Sequence, residues 1–227
     1  MAKIKTKAVL FDFDGTLTVG NYNNIWKALY QVLGYPTDRN SSYYLTYVDF
    51  VNGKFDYEKW VSINEDDFKA AGLRKETFDQ VMSEIKLIDG LEIVLETLKQ
   101  KGIKTFVLSG NFKYLIKRVL GDLANYFEDI SANDIVFDEN GNLEKVIATK
   151  FDYEGKPDYI KKVMEEHSLA ADEICFVGNG ENDGFAYRSG AKTICINPDH
   201  ADEENQEKWA AVIKESDNLK DILEYIE

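Results

Sequence analysis

Two carboxylates, Asp12 and Asp14, stand two residues apart in the run Phe11-Asp12-Phe13-Asp14-Gly15-Thr16. They follow the apolar stretch Ala8-Val9-Leu10-Phe11, which has the length and bounding of a buried strand. Side chains alternate with period two along an extended chain, so both acids leave the strand end on the same side. Such a pair at a buried sheet end is costly unless a cation or a bound proton offsets the charge. Mg²⁺ takes oxygen ligands of this kind, with waters and phosphate oxygens completing its octahedron. The spacing therefore points to chemistry on an anionic group beside a divalent cation.

Three further polar groups follow strands or open a helix. Ser109-Gly110-Asn111 comes after Thr105-Phe106-Val107-Leu108, and Gly178-Asn179-Gly180-Glu181-Asn182-Asp183 comes after Ile174-Cys175-Phe176-Val177. Lys156 precedes Pro157, a favoured first-turn residue, and a lysine there opposes the helix dipole unless an anion is present. Each group also has a plainer reading. The acids could be a turn or N-cap pair, Ser109 a helix cap, Lys156 a solvated lysine among Lys150, Lys161 and Lys162, and the glycine-rich run a simple turn. If the strands are parallel, all four groups meet in one crevice at the carboxyl ends of the sheet, a setting suited to phosphate beside Mg²⁺.

The elements that must position these residues alternate. Helical spacing is expected at Leu91–Lys101, Phe112–Leu120 and Pro157–His167, and strands at Lys104–Leu108, Glu173–Val177 and Thr193–Ile196. Asn140-Gly141 is a hairpin signal between Ile130–Phe137 and Leu143–Ala148. Asn205–Ile213 and Leu219–Ile226 read as two terminal helices. This alternation predicts an α/β fold with a doubly wound, mostly parallel sheet. Between Asn21 and Ile88 the texture is helical instead. Tyr22, Trp26, Leu29, Tyr30 and Leu33 recur at three- and four-residue spacing, and helices are expected at Tyr57–Ala71 and Lys75–Ile85. The predicted organisation is a core of residues 1–20 and 89–227 with a small helical domain, residues 21–88, inserted after the first strand.

Composition narrows the partners. The 227-residue chain carries a formal net charge of -14, which argues against nucleic acid and anionic membrane surfaces. No stretch is long and apolar enough to span a membrane, and the lysine-bearing N-terminus leads straight into Asp12 without a signal-peptide core, so a cytoplasmic location is expected. Cys175 and Cys195 lie in apolar runs and read as buried packing residues. Trp60 and Trp209 also read as packing residues. His167 and His200 lie away from every motif.

DFDGT, the strand-ending Ser109, Lys156 and the GNGEND loop occur in the order seen in the haloacid dehalogenase-like phosphohydrolases, which the chain resembles over nearly its whole length. The helical insert resembles the cap of the phosphoserine-phosphatase branch. The resemblance implies a Mg²⁺-dependent phosphatase of a small phosphomonoester, working through an aspartyl-phosphate. It implies Asp12 as nucleophile and Asp14 as acid and then base, with Asp14 also lending its main-chain carbonyl to the metal. Ser109, Gly110, Asn111 and Asn182 would bind phosphate, Lys156 would neutralise charge, and Asp12, Asp14, Asn179 and Asp183 would make up the metal site. Thr16 would order the loop, and Gly15 would let it turn.

Two departures stand out. The family usually has Asp where Asn179 stands, so an uncharged amide replaces a metal-ligating carboxylate. The cap glutamate of phosphoserine phosphatases corresponds to Asn21, and their carboxylate-binding arginine aligns with Asn64; Arg39 and Arg74 do not fit that pattern. Phosphoserine is therefore not the favoured substrate, and the aromatic face of the insert is left to line a pocket for a less charged ester. A phosphotransferase or mutase, and a non-catalytic phosphate- and Mg²⁺-binding module, remain as alternative readings. Sequence does not set the oligomeric state.

Overall fold

The computed structural model describes residues 4–20, 24–198 and 206–227. In chain order its strands are β1 (Ala8–Phe11), β2 (Thr18–Val19), β3 (Lys86–Leu87), β4 (Lys104–Phe112), β5 (Asp129–Phe137), β6 (Leu143–Ile147), β7 (Ile174–Gly178), β8 (Lys192–Ile196) and β9 (Ala211–Ile213). Its helices are α1 (Ile25–Val32), α2 (Ser42–Val51), α3 (Tyr57–Ala70), α4 (Lys75–Ser83), α5 (Leu91–Gln100), α6 (Lys113–Leu120) and α7 (Lys156–His167).

Seven strands form one sheet in the order β6-β5-β4-β1-β7-β8-β9. All neighbours run parallel except the β5–β6 hairpin. β1 is central, paired with β4 on one side and β7 on the other, and all four of its residues are fully buried. Its side chains divide by parity. Val9 and Phe11 pack with Val94, Leu95 and Leu98 of α5 and Leu115 and Ile116 of α6. Ala8 and Leu10 pack with Tyr159, Ile160 and Val163 of α7. Burial on both faces explains why β1 reads as an unbroken apolar run. Chain connections diverge to either side of β1, so the crevice at its carboxyl end is a topological switch point, where ligands bind in such sheets.

Helices α1 to α4 lie between β2 and β3, which pair as a short antiparallel ribbon where the chain leaves and rejoins the sheet region. Asn24, Ser41 and Asp56 cap α1, α2 and α3 by accepting main-chain N–H bonds. An aromatic cluster holds the helices together: Trp26 against Trp60 and Phe68, Tyr30 against Tyr43 and Phe68, and Phe50 against Trp60. The α3–α4 turn is also bonded to the β5–β6 hairpin. Leu143 N–H donates to Leu73 O, Lys75 N–H to Gly141 O, and the Arg74 guanidinium to Asn140 O and Asn142 Oδ1. Asn140-Gly141 thus closes a hairpin as expected, and the hairpin also grips the helical insert.

The C-terminal region differs from the sequence expectation. Instead of a helix over Asn205–Ile213, the described residues form one 3₁₀ turn at Gln206–Lys208 and the strand β9, which extends the sheet beside β8. Ala211-Val212-Ile213 is a short apolar run with two β-branched residues, and the open edge of β8 offers it backbone partners that a short amphipathic helix would not satisfy. Leu219–Glu224 is a 3₁₀ helix rather than an α-helix. Asn21, Tyr22 and His200 lie outside the described residues.

Candidate active site

β1 ends at Phe11, and the Asp12 N–H still donates to Val177 O at 2.9 Å, which fixes the first acid at the sheet edge. Gly15 then turns in the left-handed region at φ 75°. The Thr18 hydroxyl orders this turn by accepting from Gly15 N–H and donating to Phe13 O, while Thr16 reaches across to the Asn179 side chain. A methyl group on Gly15 would overlap the Asn179 amide, so glycine is required there by both conformation and close approach.

Lys156 is completely buried, and four oxygens surround its ammonium group. Asp183 Oδ1 lies at 2.7 Å, Asp12 Oδ1 at 3.2 Å, Leu108 O at 3.2 Å and Asp152 Oδ1 at 3.5 Å. Burial pulls the lysine pKa down, but Asp12, Asp183 and Asp152 together hold it above the ordinary value, so the group stays charged. Burial pushes Asp12 well above the usual carboxylate range, with Asp183 adding to the rise and Lys156 opposing it. The solvated-lysine reading is excluded. Three carboxyl groups share one ammonium in this buried cluster.

Asp14 lines the same cavity as Asp12 but has different partners. Its Oδ1 accepts from Asn111 Nδ2 at 2.6 Å and its Oδ2 from the Ile25 N–H, the first amide of α1, at 3.2 Å. Burial raises its pKa to about 6 against the lowering effect of those two bonds. Asn111 is itself held, because its Oδ1 accepts from Phe112 N–H. Ser109 Oγ accepts from Asn111 N–H at 3.2 Å. Strand β4 continues through this Ser-Gly-Asn segment, with a register shift against β5 between Leu108 and Phe112.

In the last loop, Asp183 Oδ2 accepts from the Asn179 and Gly180 N–H groups while Oδ1 takes Lys156. Both oxygens of Asp183 are therefore engaged, and it supports the loop from behind. Asn182 Nδ2 donates to Asp152 Oδ1 at 3.1 Å. A Cβ added at Gly178 would lie 2.5 Å from Asp183 Cβ and Cγ. Gly178→Ala is accordingly expected to cost about 1–3 kcal/mol of stability through overpacking, read by urea denaturation; a change below about 0.5 kcal/mol would show that the loop packs otherwise.

Asp12, Asp14, Ser109, Gly110, Asn111, Asn179 and Asn182 line one cavity of about 130 Å³, walled on the insert side by Trp26, Tyr43, Tyr47 and Trp60. Lys156 and Asp183 lie beneath its floor. Four partners of the site were not legible in the sequence. Asp152 pairs with Lys156 and hydrogen-bonds Tyr57, and Asn133 Nδ2 donates to Gly110 O at 2.6 Å and Tyr57 Oη at 2.9 Å. Trp26 Nε1 also donates to Gly110 O, at 3.0 Å. One core amide and one indole from the insert thus fix the peptide that follows the Gly110 N–H. The only local hint was Asp152, four residues before Lys156.

Other residues singled out from the sequence fall elsewhere. Asn64 is buried and donates to Trp60 O, and Arg74 is bound to the hairpin. His167 packs on Phe106. Cys175 and Cys195 are buried thiols, and burial pushes the Cys175 pKa up, which disfavours its thiolate. Trp60 and Trp209 are buried in packing roles.

A family model of haloacid dehalogenase-like hydrolases matches residues 6–189. The chain belongs to that family. It is 33% identical over 134 residues to a phosphoserine phosphatase of Lactococcus lactis, covering 59% of this chain and 60% of the relative. It is 28% identical over 127 residues to a phosphoserine phosphatase of Archaeoglobus fulgidus, covering 56% of this chain and 36% of the relative. Among solved structures, a phospho-aspartyl intermediate analogue of phosphoserine phosphatase superposes with a TM-score of 0.77 at 22% identity, covering 98% of this chain and all of that one. A HAD family hydrolase of Salmonella enterica serovar Typhi gives 0.78 at 18% identity, covering 99% of this chain and 72% of that one. At these identities the superpositions establish the α/β fold. Among the described residues no helix is long and apolar enough to cross a membrane.

Proposed function

We propose that this chain is a phosphatase of a small phosphomonoester, with Asp12 as nucleophile, Asp14 as general acid and base, Ser109 and the Gly110 N–H as the groups that hold a phosphoryl oxygen, and Lys156 as the buried cation that offsets the charge on Asp12. The observation that carries this reading is the fully buried Lys156 joining Asp12 to Asp183, with Asp14 held by Asn111 in the same cavity as Asp12. The family membership and the phosphoserine phosphatase relatives support it. The proposed division is a core of residues 1–20 and 89–227 and a cap of residues 21–88, supported by the β2–β3 ribbon at which the chain enters and leaves the helices.

The reaction would run in two displacements. A carboxylate oxygen of Asp12 attacks phosphorus while the ester P–O bond breaks, and the departing alkoxide takes the proton of Asp14. Water then attacks the aspartyl-phosphate, giving its proton to the Asp14 carboxylate and freeing Asp12. A group that is an acid in one half and a base in the other works best with a pKa near neutrality, and Asp14 at about 6 meets that need. Asn111 and the first amide of α1 hold its carboxyl in place. Phosphoryl transfer gains chiefly from such positioning and from charge stabilisation.

The residues present fit Mg²⁺. Carboxyl groups outnumber the ammonium three to one in the buried cluster, and all the donors available are oxygens. Among the described residues no group of three or more His, Cys, Asp or Glu side chains forms a metal cage, so an ion here would depend on fewer carboxylates. The Asp12 carboxylate, the Asp14 main-chain oxygen and the Asn179 amide oxygen would hold it, with Asp183 acting through the loop. When bound, the ion would supply positive charge against the repulsion between Asp12 and the phosphate dianion.

A cavity of about 130 Å³ has room for a small ester, which favours water over a large second substrate as acceptor. Hydrolysis of p-nitrophenyl phosphate tests the reading. Mg²⁺-dependent phosphate release that EDTA abolishes is expected, and a protein that binds Mg²⁺ yet releases none would leave only a binding module. Asn179→Asp is expected to tighten Mg²⁺ binding, measured by calorimetric titration. Unchanged affinity would remove Asn179 from the ligand set.

A further inference from the structure

Resting on the phosphatase reading, we propose that the alcohol part of the substrate carries an ammonium group and no carboxylate, so that the substrate class is the phosphate ester of an amino alcohol. The cavity above Asp12 and Asp14 is walled by Trp26, Tyr43, Tyr47, Trp60 and Tyr153. Five aromatic rings thus share the lining of one cavity. Trp26 and Trp60 lie 4.8 Å apart, and the Tyr47 and Tyr153 hydroxyls are bonded to each other. Those two hydroxyls are thereby partly satisfied within the wall, which leaves the cavity mainly ring surface.

The charge of the wall has one sign. Asp12, Asp14 and Asp152 are its ionisable carboxylates, and among the described residues lining it there is no Lys, Arg or His. Lys156 lies beneath the floor and is engaged by three acids. Lys27 and Arg39 line a neighbouring outer cavity and are exposed. A substrate carboxylate in the inner cavity would meet acids and ring faces with no cation to pair with, at the cost of an unpaired desolvated charge. An ammonium group meets the negative faces of aromatic rings within a field of carboxylates, which is the chemistry of aromatic cages for such cations. Neither an apolar wall alone nor an acidic cluster alone would select it; the two occur together here. Asn64, buried and bonded to Trp60 O, supplies no charge either.

The test is the rate of phosphate release by the full chain with Mg²⁺ from five esters: phosphocholine, phosphoethanolamine, 3,3-dimethylbutyl phosphate (the neutral carbon isostere of phosphocholine), phosphoserine and p-nitrophenyl phosphate. The better ammonium ester is expected to exceed the neutral isostere in kcat/KM by about tenfold, and phosphoserine by a larger factor. Tyr47→Leu is expected to move the ratio of phosphocholine to its isostere towards one, and Tyr47→Phe, which keeps the ring, to retain it. An isostere as good as the better ammonium ester, or phosphoserine ahead of both ammonium esters, overturns the inference while leaving the phosphatase reading intact. Failure to release phosphate from any of the five, p-nitrophenyl phosphate included, overturns the phosphatase reading and the inference with it.

Discussion

Asp12→Asn is expected to lower kcat by at least about four orders of magnitude while leaving the fold as stable as wild type or more so. The two halves of this expectation have different physical origins. Activity is lost because the amide cannot attack phosphorus and return as a leaving group. Stability is kept because the wild-type carboxylate is held well above its ordinary pKa of 3.8, chiefly by burial and then by Asp183. Removing a charge that the folded state disfavours relieves desolvation, and Lys156 retains Asp183 at 2.7 Å and Asp152 at 3.5 Å as partners. Phosphate release and a urea melt on the same preparation check both halves. A variant that is inactive because it has lost about 2 kcal/mol or more of stability would indicate a structural aspartate rather than a nucleophile.

Lys156→Met is expected to be the more damaging change, abolishing turnover and costing about 3–5 kcal/mol of stability at neutral pH. It leaves Asp12, Asp152 and Asp183 buried side by side without their shared cation. The pH dependence has a definite sign. An acid whose folded pKa lies above its unfolded value binds its proton more tightly in the native state. Native stability therefore falls as pH rises from the unfolded pKa towards the folded one. Asp12 is already raised with the lysine present, and loss of the ammonium, which opposes that rise, pushes it further. The deficit against wild type is thus expected to be largest near pH 7 and to shrink towards pH 5. Urea melts at the two pH values measure it. A deficit that grows on acidification would contradict the assigned cluster.

The sequence was most legible where local patterning and long-range placement agree. Ala8–Phe11 is buried on both faces and so reads as a strand without ambiguity, and Asn140-Gly141 closes a hairpin by turn chemistry alone. The ends of β1, β4 and β7 meet because the sheet is parallel, which brings Asp12, Ser109 and Asn179 to one crevice. Residues joined by tertiary contacts were hidden. Asn133 and Asp152 lie in segments with no motif, yet they bind Gly110 and Lys156 across 23 residues and one helical turn respectively. Tyr57 and Trp26 read only as helix packing, because spacing shows which face of a helix is apolar and not which core oxygen its polar tip will find. The misread C-terminal segment makes the complementary point: Val212 and Ile213 join a sheet edge that no local pattern reveals.

Thr18 and Thr16 illustrate the same limit on a smaller scale. The resemblance gave the turn after Asp14 to Thr16, whereas in the folded chain the Thr18 hydroxyl orders it and Thr16 reaches the Asn179 side chain. Asp183 offers another case. Its position in the glycine-rich loop suits a metal ligand, but the Asn179 and Gly180 amides and the Lys156 ammonium occupy both of its oxygens.

The most direct measurement is peptide mapping by mass spectrometry of an acid-quenched reaction of the Asp14→Asn variant with p-nitrophenyl phosphate and Mg²⁺. Without the carboxylate that draws a proton from water, the second displacement slows and the covalent form accumulates. The expected result is one phosphoryl group per chain, on Asp12. A phosphoryl group mapped to any other side chain would contradict the assignment of Asp12 as the residue that carries phosphorus.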